Sequence, residues 1–201
     1  MSSKDCIIYD FETLSQDQRR GVVLCVAGVR FNEDRYLSDN PYEYKELLSS
    51  ASLMKFSVEE QVKFYNRRID KSTLEWWDQQ PASAREMLVP SDADRPLDEI
   101  GKFFKGLVPD ASNISKAYTR GNTFDPIFLE NIMIDLKLPQ PYNWWSVRDT
   151  RSMIDGLAFG ADLKNSFMVP GLEESFIHHD PIHDVAMDVM RMQYLVRETM
   201  L

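Results

Sequence analysis

The chain has 201 residues, 43% of them hydrophobic and 27% charged, the make-up of an ordinary water-soluble domain, and it reads as one domain spanning 1–201. Eleven Phe, eight Tyr and four Trp exclude disorder as its main state, and the longest apolar run, Gly21 to Val29, is too short for the roughly 20 residues of a spanning helix. A net charge of −9, from 23 basic and 32 acidic side chains, excludes a broad phosphate-neutralising surface, so nucleic acid would have to be met through metal ions.

Two bound divalent cations would bring −9 to −5, with the change concentrated at one site. Cys6 and Cys25 both lie in apolar runs and read as free core thiols of a cytoplasmic protein. No Cys/His zinc spacing occurs, and the N-terminus, Met1 to Asp5, has no signal-peptide apolar region. No membrane partner is expected.

In chain order, Cys6 to Asp10 is a short strand ending in an acid, and Val22 to Phe31 a strand buried on both faces. Arg35–Leu37 is expected to pair with it as a third strand. Asn40-Pro41 reads as a cap and first helical residue leading to Leu47-Leu48. Leu53–Phe56 reads as a strand. Ser57-Val-Glu-Glu60 and Ser72-Thr-Leu-Glu75 read as capping boxes, the second opening a short helix with Trp76 and Trp77. Leu97, Ile100, Phe103, Phe104 and Leu107 stripe a helix from Asp94 to Leu107. Ile114–Tyr118 returns to strand, Phe124–Leu138 to helix, Trp144–Val147 to strand and Asp149–Leu157 to helix. The last helix runs from Pro181 to about Met200. The order implies an α/β fold, a mixed central β-sheet flanked by α-helices.

Three places hold acids in unusual company. Asp10-Phe-Glu12 ends a strand, where side chains two apart share a face about 6–7 Å apart and two like charges invite a cation. Asp125 follows a strand and a glycine turn at the start of a helix, the position of an ordinary cap. All three histidines fall in His178-His-Asp-Pro-Ile-His-Asp184, where Asp180 can cap the last helix with Pro181 at its first position. His179 on the loop and Asp184 one turn into the helix can then face one site. His183 and Asp188 have the same spacing, but Pro181 puts His183 inside the helix, and the first frame is preferred.

Together these residues resemble the DEDDh group of 3′-to-5′ exonucleases in the ribonuclease H-like superfamily, across nearly the whole chain. Ile7-Ile-Tyr-Asp-Phe-Glu-Thr13, Gly121-Asn-Thr-Phe-Asp125 and His179-Asp-Pro-Ile-His-Asp184 carry the likeness. Ser72 to Gln79, Arg120 to Asp125, Arg148-Asp-Thr-Arg151 and His179 to Ala186 are similar to the phage exonuclease A family and its bacterial exoribonuclease relatives. The bacterial side trims RNA and the phage side is associated with single-stranded DNA. Relatives are often homodimers.

The resemblance implies a metal-dependent exonuclease that takes single-stranded RNA or DNA with a free 3′ end and releases nucleoside 5′-monophosphates. Two Mg²⁺ ions fit the oxygen donors of Asp10, Glu12, Asp125 and Asp184, and Mn²⁺ fits them too. By resemblance Asp10 is shared by both ions, Glu12 and Asp184 hold the ion that carries the attacking water, and Asp125 helps hold the second. His179 takes the proton, for which an ordinary value near 6.5 is suited. Phe11, through its backbone, Thr13, Trp77 and Asn122 are the candidate substrate contacts, with core packing the competing role for one or both of Trp76 and Trp77. Trp144-Trp145 read as core or interface, and Arg120, Arg148 and Arg151 as phosphate contacts or surface ion pairs. The rival from another class is a catalytically weak nucleic-acid-binding module on the same fold.

Overall fold

The computed structural model describes residues 5–161 and 163–200; most of the N-terminal stretch, Met1–Lys4, lies outside them. Five strands form a mixed sheet in the order β3-β2-β1-β4-β5. They are β1 Asp5–Thr13, β2 Val23–Asn32, β3 Ser52–Lys55, β4 Lys116–Thr119 and β5 Val147–Asp149. β1 pairs antiparallel with β2 and parallel with β4, and β4 pairs parallel with β5. β1 therefore sits at the centre, and the parallel strands β1, β4 and β5 end on the same edge.

The side chains of β1 alternate between two cores, as a pleated strand requires. Ile7, Tyr9 and Phe11 pack with helices α5 (Ile100–Leu107) and α6 (Asp125–Asp135) on one face. Cys6 and Ile8 pack on the other face with α1 (Tyr44–Ser50), α7 (Thr150–Leu157) and the long α8 (Pro181–Met200). Each fully buried Ile or Phe contributes roughly 1.5–3 kcal/mol to this packing. The even-numbered series continues to Asp10 and Glu12, so the strand's own period sends both acids toward α8. β2 is buried along nearly its whole length, as its unbroken apolar run predicts. At Gly28 a Cβ would stand 2.8 Å from Leu107 Cδ2, so glycine lets α5 lie close to the strand.

Four expectations need correction. Arg35–Leu37 is not a strand but part of a 3₁₀ turn, Glu33–Leu37, because the Asn32 side chain accepts from the Asp34 amide and caps it. α1 begins at Tyr44 rather than after Pro41, because Gln193 of α8 holds both the amide and the carbonyl of Tyr42 in extended chain. The stripe from Leu97 begins only after Pro96, with a 3₁₀ turn at Leu97–Glu99 leading into α5; Arg95 stays extended and its amide reaches the Lys55 carbonyl at 2.8 Å. Trp144–Ser146 is a 3₁₀ turn ahead of β5, with Trp144 80% and Trp145 59% exposed, which removes both from the core.

Other boundaries follow the sequence. Ser57 caps α2 (Val58–Tyr65) by accepting from the Glu60 amide at 3.2 Å. Asp180 caps α8 through the amides of Ile182 and His183 at 3.0 and 3.3 Å, with Pro181 first in the helix. Cys6 and Cys25 are both buried, and the Cys6 sulfur lies 3.5 Å from the Ser115 hydroxyl. Among the described residues no helix is long and apolar enough to cross a membrane.

Candidate active site

The site grows from the C-terminal end of β1. The register of β1 against β2 slips between Glu12 and Thr13, so the strand is irregular just where its last acid leaves the sheet. Asp125 arrives from β4 through a turn at Gly121, whose φ of +122° is open to glycine alone without strain. It is the first residue of α6, with Pro126 behind it, is only 3% exposed, and accepts from the Phe11 amide at 3.2 Å. A backbone amide between the two β1 acids thus holds the third acid.

Asp184 and His179 come from the other side. Asp180 and Pro181 fix the start of α8 and place Asp184 in its first turn. His179 sits just before it with φ of +61°, a left-handed conformation uncommon for a non-glycine residue and suggestive of a functional constraint. One ligand atom from each of Glu12, His179 and Asp184 lies within 4.8 Å of the other two. Asp10, Glu12, Asp125, Asp184 and His179 line one cavity of about 650 Å³.

Crowding of like charges sets the electrostatics. Burial, then Asp125, Glu12 and Asp184, push the Asp10 carboxyl well above its usual range. Glu12 is pushed well up by burial, then by Asp184 and Asp125. Burial raises both Asp125 and Asp184 to about 7. Burial, helped by His178, holds His179 below its ordinary value, which keeps its imidazole neutral near neutral pH. Four acids with such values repel one another, and the cost is relieved by protons or by cations. Carboxylate oxygens are donors that suit a hard divalent cation, so the four acids present fit a metal site.

The competing histidine frame is occupied otherwise. His183 Nδ1 lies 2.8 Å from the Tyr44 hydroxyl and 3.4 Å from the Ile177 amide. Asp188 is buried and bound by Arg120 at 2.6 Å, Arg191 at 2.7 Å and the Thr150 hydroxyl at 2.5 Å. Those arginines also hold the carbonyls of Asn165, Ser166 and Phe167, tying the chain that leads to His179 onto α8. For Arg120 the ion-pair alternative is the one observed.

The expected substrate contacts fare unevenly. The Phe11 ring packs in the core against Tyr9 and Phe128, its amide donates to Asp125, and the residue is among those lining the cavity. Thr13 is nearly buried and its hydroxyl donates to the Ser15 carbonyl at 2.9 Å. Asn122 is exposed in the turn before α6. Trp77 is corrected: it is fully buried and its indole N–H donates to the Thr13 carbonyl at 3.0 Å, so it presents no surface to a ligand. Trp76 does instead. It is 41% exposed on α3 (Lys71–Trp77), and its ring meets the His179 ring edge-on at 5.1 Å. α3 begins at Lys71 with Asp70, not Ser72, at its N-cap position, and the Asp70 side chain caps nothing there but accepts from the Ser15 hydroxyl and Gln16 amide beyond β1. Arg151, at the start of α7, also lines the cavity. The Arg-Asp-Thr-Arg run was its only signal in the sequence.

Comparison with known proteins agrees with this geometry. The model of the 3′-5′ exoribonuclease Rv2179c-like domain matches residues 5–196. The chain belongs to that family. An exodeoxyribonuclease of Enterobacteria phage T4 is 32% identical over 212 residues, covering 96% of this chain and 89% of the phage protein. Both relationships make the chain a 3′-5′ exonuclease. Its fold is similar to that of a product-bound exonuclease I, with a TM-score of 0.60 at 14% identity, covering 98% of this chain and 44% of the other. Exonuclease I of Methylocaldum szegediense gives 0.57 at 16% identity over 96% and 40%. The zinc-bound E. coli exonuclease I–single-stranded DNA complex gives 0.59 at 14% over 98% and 41%. The exonuclease thus spans about two fifths of the length of those chains and shares the ribonuclease H-like fold with them.

Proposed function

We propose that this exonuclease is a metal-dependent enzyme acting in the cytoplasm on single-stranded nucleic acid, RNA or DNA, and releasing nucleoside 5′-monophosphates from the 3′ end. The observation that carries this reading is the meeting of Glu12, His179 and Asp184 within 4.8 Å in a cavity that Asp10 and Asp125 also line. Asp10, Glu12, Asp125 and Asp184 would hold two divalent ions, with Mg²⁺ favoured by an all-oxygen carboxylate set. When bound, such ions supply Lewis acidity and lower the pKa of a coordinated water.

The protein's own groups do the rest. His179, neutral at working pH and beside Glu12 and Asp184, accepts the proton of the attacking water. Its loop position before Pro181 frees the ring from the helix, and the edge contact with Trp76 restrains it. Asp188 with Arg120 and Arg191 fixes the segment 165–167, so the chain carrying His179 is fastened at its near end. The Phe11 amide keeps Asp125 turned into the cavity. Because the chain as a whole is acidic, binding relies on this site rather than on a basic surface.

The test separates binding from cutting. A sample loaded with Ca²⁺ binds a short labelled oligonucleotide without cleaving it, and exchange into Mg²⁺ releases mononucleotides from the earliest times. Longer early products would contradict exonuclease action, and cutting in excess chelator would contradict metal dependence. Tight binding without cutting in any metal would favour the binding-module alternative.

A further inference from the structure

In a chain with 23 basic and 32 acidic side chains, cations that gather without acid partners stand out. One such group lies beside the catalytic cavity. Between β1 and β2 the chain turns through 15–21, and Arg19 and Arg20 stand exposed on that turn. The stretch 66–70, between α2 and α3, lies against it. The Arg68 amide donates to the Arg20 carbonyl at 2.6 Å, and the Val22 amide to the Arg68 carbonyl at 2.9 Å. Arg68 is exposed as well. None of these three guanidinium groups has an ion-pair or hydrogen-bond partner among the described residues.

The acids nearby are engaged elsewhere. Asp17 accepts from the Arg19 and Arg20 amides at 3.0 and 3.3 Å, and Asp70 accepts from the Ser15 hydroxyl and the Gln16 amide. Asp135 pairs with the buried Arg67 at 3.3 Å. Bonds of the same kind hold the turn in one shape. The Gly21 amide donates to the Asp17 carbonyl at 2.6 Å, Asn131 of α6 donates to the Gln18 carbonyl at 3.3 Å, and Arg67 donates to the Gly21 carbonyl at 3.0 Å. The three arginines are therefore carried on a fixed frame with their donors open. Gln18, immediately before Arg19, lines the catalytic cavity together with Glu12 and Asp125. The arginines begin where the cavity ends.

We propose that Arg19, Arg20 and Arg68 form a short ridge that holds phosphates of a single-stranded substrate upstream of its 3′-terminal nucleotide; the inference rests on the exonuclease reading given above. A guanidinium presents its donors in a planar fork that matches phosphate oxygens. Cα atoms lie about 3.8 Å apart along the chain and about 4.8 Å apart across a backbone pairing, so the three forks stand close enough to serve consecutive phosphates. The ridge extends the acidic site outward. It is far narrower than the broad basic surface that a net charge of −9 excludes. Its cations attract the strand, and its end at Gln18 delivers the strand to the cavity. Single-stranded nucleic acid fits the ridge better than an acidic protein segment does, because the ridge leads into the cavity.

The test uses the intact protein and a variant combining Arg19→Ala, Arg20→Ala and Arg68→Ala. All three side chains are exposed and their structural bonds are made by the backbone, so the variant should keep the wild-type circular dichroism spectrum. Binding of a labelled dodecanucleotide is followed by fluorescence anisotropy with Ca²⁺. Each phosphate contact on a single strand adds about 0.7 to the slope of log affinity against log salt. Between about 50 and 200 mM salt, wild type should therefore lose about twentyfold more affinity than the variant. The corresponding triple lysine variant should keep most of the wild-type slope, because it keeps the charges. With Mg²⁺, the ratio of kcat/KM for the dodecanucleotide to that for a dinucleotide should fall toward one in the alanine variant. An unchanged salt slope, or an unchanged ratio of the two lengths, would overturn the proposal. Displacement of the dodecanucleotide by polyglutamate of equal charge, at equal concentration, would overturn it in favour of an acidic protein partner. Failure of wild type to cut either length would count against the exonuclease reading alone, and the salt slopes then judge the ridge.

Discussion

Raising the pH of the metal-free protein from 6 to 8 lowers its melting temperature. The cause is the acid cluster. Asp125 has a folded value of about 7, whereas an unfolded aspartate titrates near 3.9. Between those values the folded state binds a proton that the unfolded state does not. Stability is therefore highest at the acid side of this window and is lost as pH rises through about 7. For one such group, going from pH 6 to 8 removes about 1.4 kcal/mol, which in a domain of this size is about 3–5 °C. Asp184, also raised to about 7, adds to the fall, and Asp10 and Glu12 act in the same direction. His179 works against it, because a histidine held below its ordinary value makes the folded state weaker as pH falls through 6.5. Thermal unfolding followed by circular dichroism in excess chelator measures the slope. Added Mg²⁺ or Mn²⁺ should raise the melting temperature most at pH 8 and flatten the profile. Asp125→Asn should flatten it without metal, and His179→Gln should steepen it near pH 6. A melting temperature that is constant or rises from pH 6 to 8 in chelator would refute this account of the cluster.

Four substitutions separate chemistry from packing. His179→Gln should lower kcat by about 10²–10⁴ while leaving the circular dichroism spectrum unchanged, measured by steady-state cleavage of a labelled oligonucleotide. Asp188→Asn leaves Arg120 and Arg191 without their buried partner and should cost about 3–5 kcal/mol in urea unfolding, although Asp188 is outside the proposed metal set. Trp77→Ala empties a fully buried position and should cost about 3–5 kcal/mol, whereas Trp144→Ala at an 80% exposed position should change stability by less than about 0.5 kcal/mol.

Much of the scaffold is written locally in the chain. The β2 run is so uniformly apolar that only a strand covered on both faces can hold it, and Asp180-Pro181 defines the start of α8 from two residues. The period of β1 puts Asp10 and Glu12 on one face, so their common direction follows from spacing alone. What was illegible depended on distant partners. Arg35–Leu37 has strand-like neighbours, but the cap from Asn32 turns it into 3₁₀. The Ser72 box is a valid local signal, yet Asp70 is drawn to Ser15 and Gln16 and takes the cap position. Adjacent residues on a helix point about 100° apart, so Trp76 and Trp77 cannot share a role. Which one faces the cavity is decided by the Thr13 carbonyl that receives the Trp77 indole, a contact 64 residues away in sequence. The same holds for His183 and Asp188, whose spacing imitates the site but whose partners, Tyr44, Arg120, Arg191 and Thr150, come from four different elements or turns.

The most direct measurement is a matched digestion. Single-stranded RNA and DNA of one sequence, each labelled at the 5′ end, are incubated with Mg²⁺ and either wild type or Asp10→Ala. Wild type should give a ladder that shortens from the 3′ end and Asp10→Ala should leave the substrate uncut, and the faster of the two ladders identifies the preferred nucleic acid. Cleavage by Asp10→Ala at the wild-type rate would contradict it.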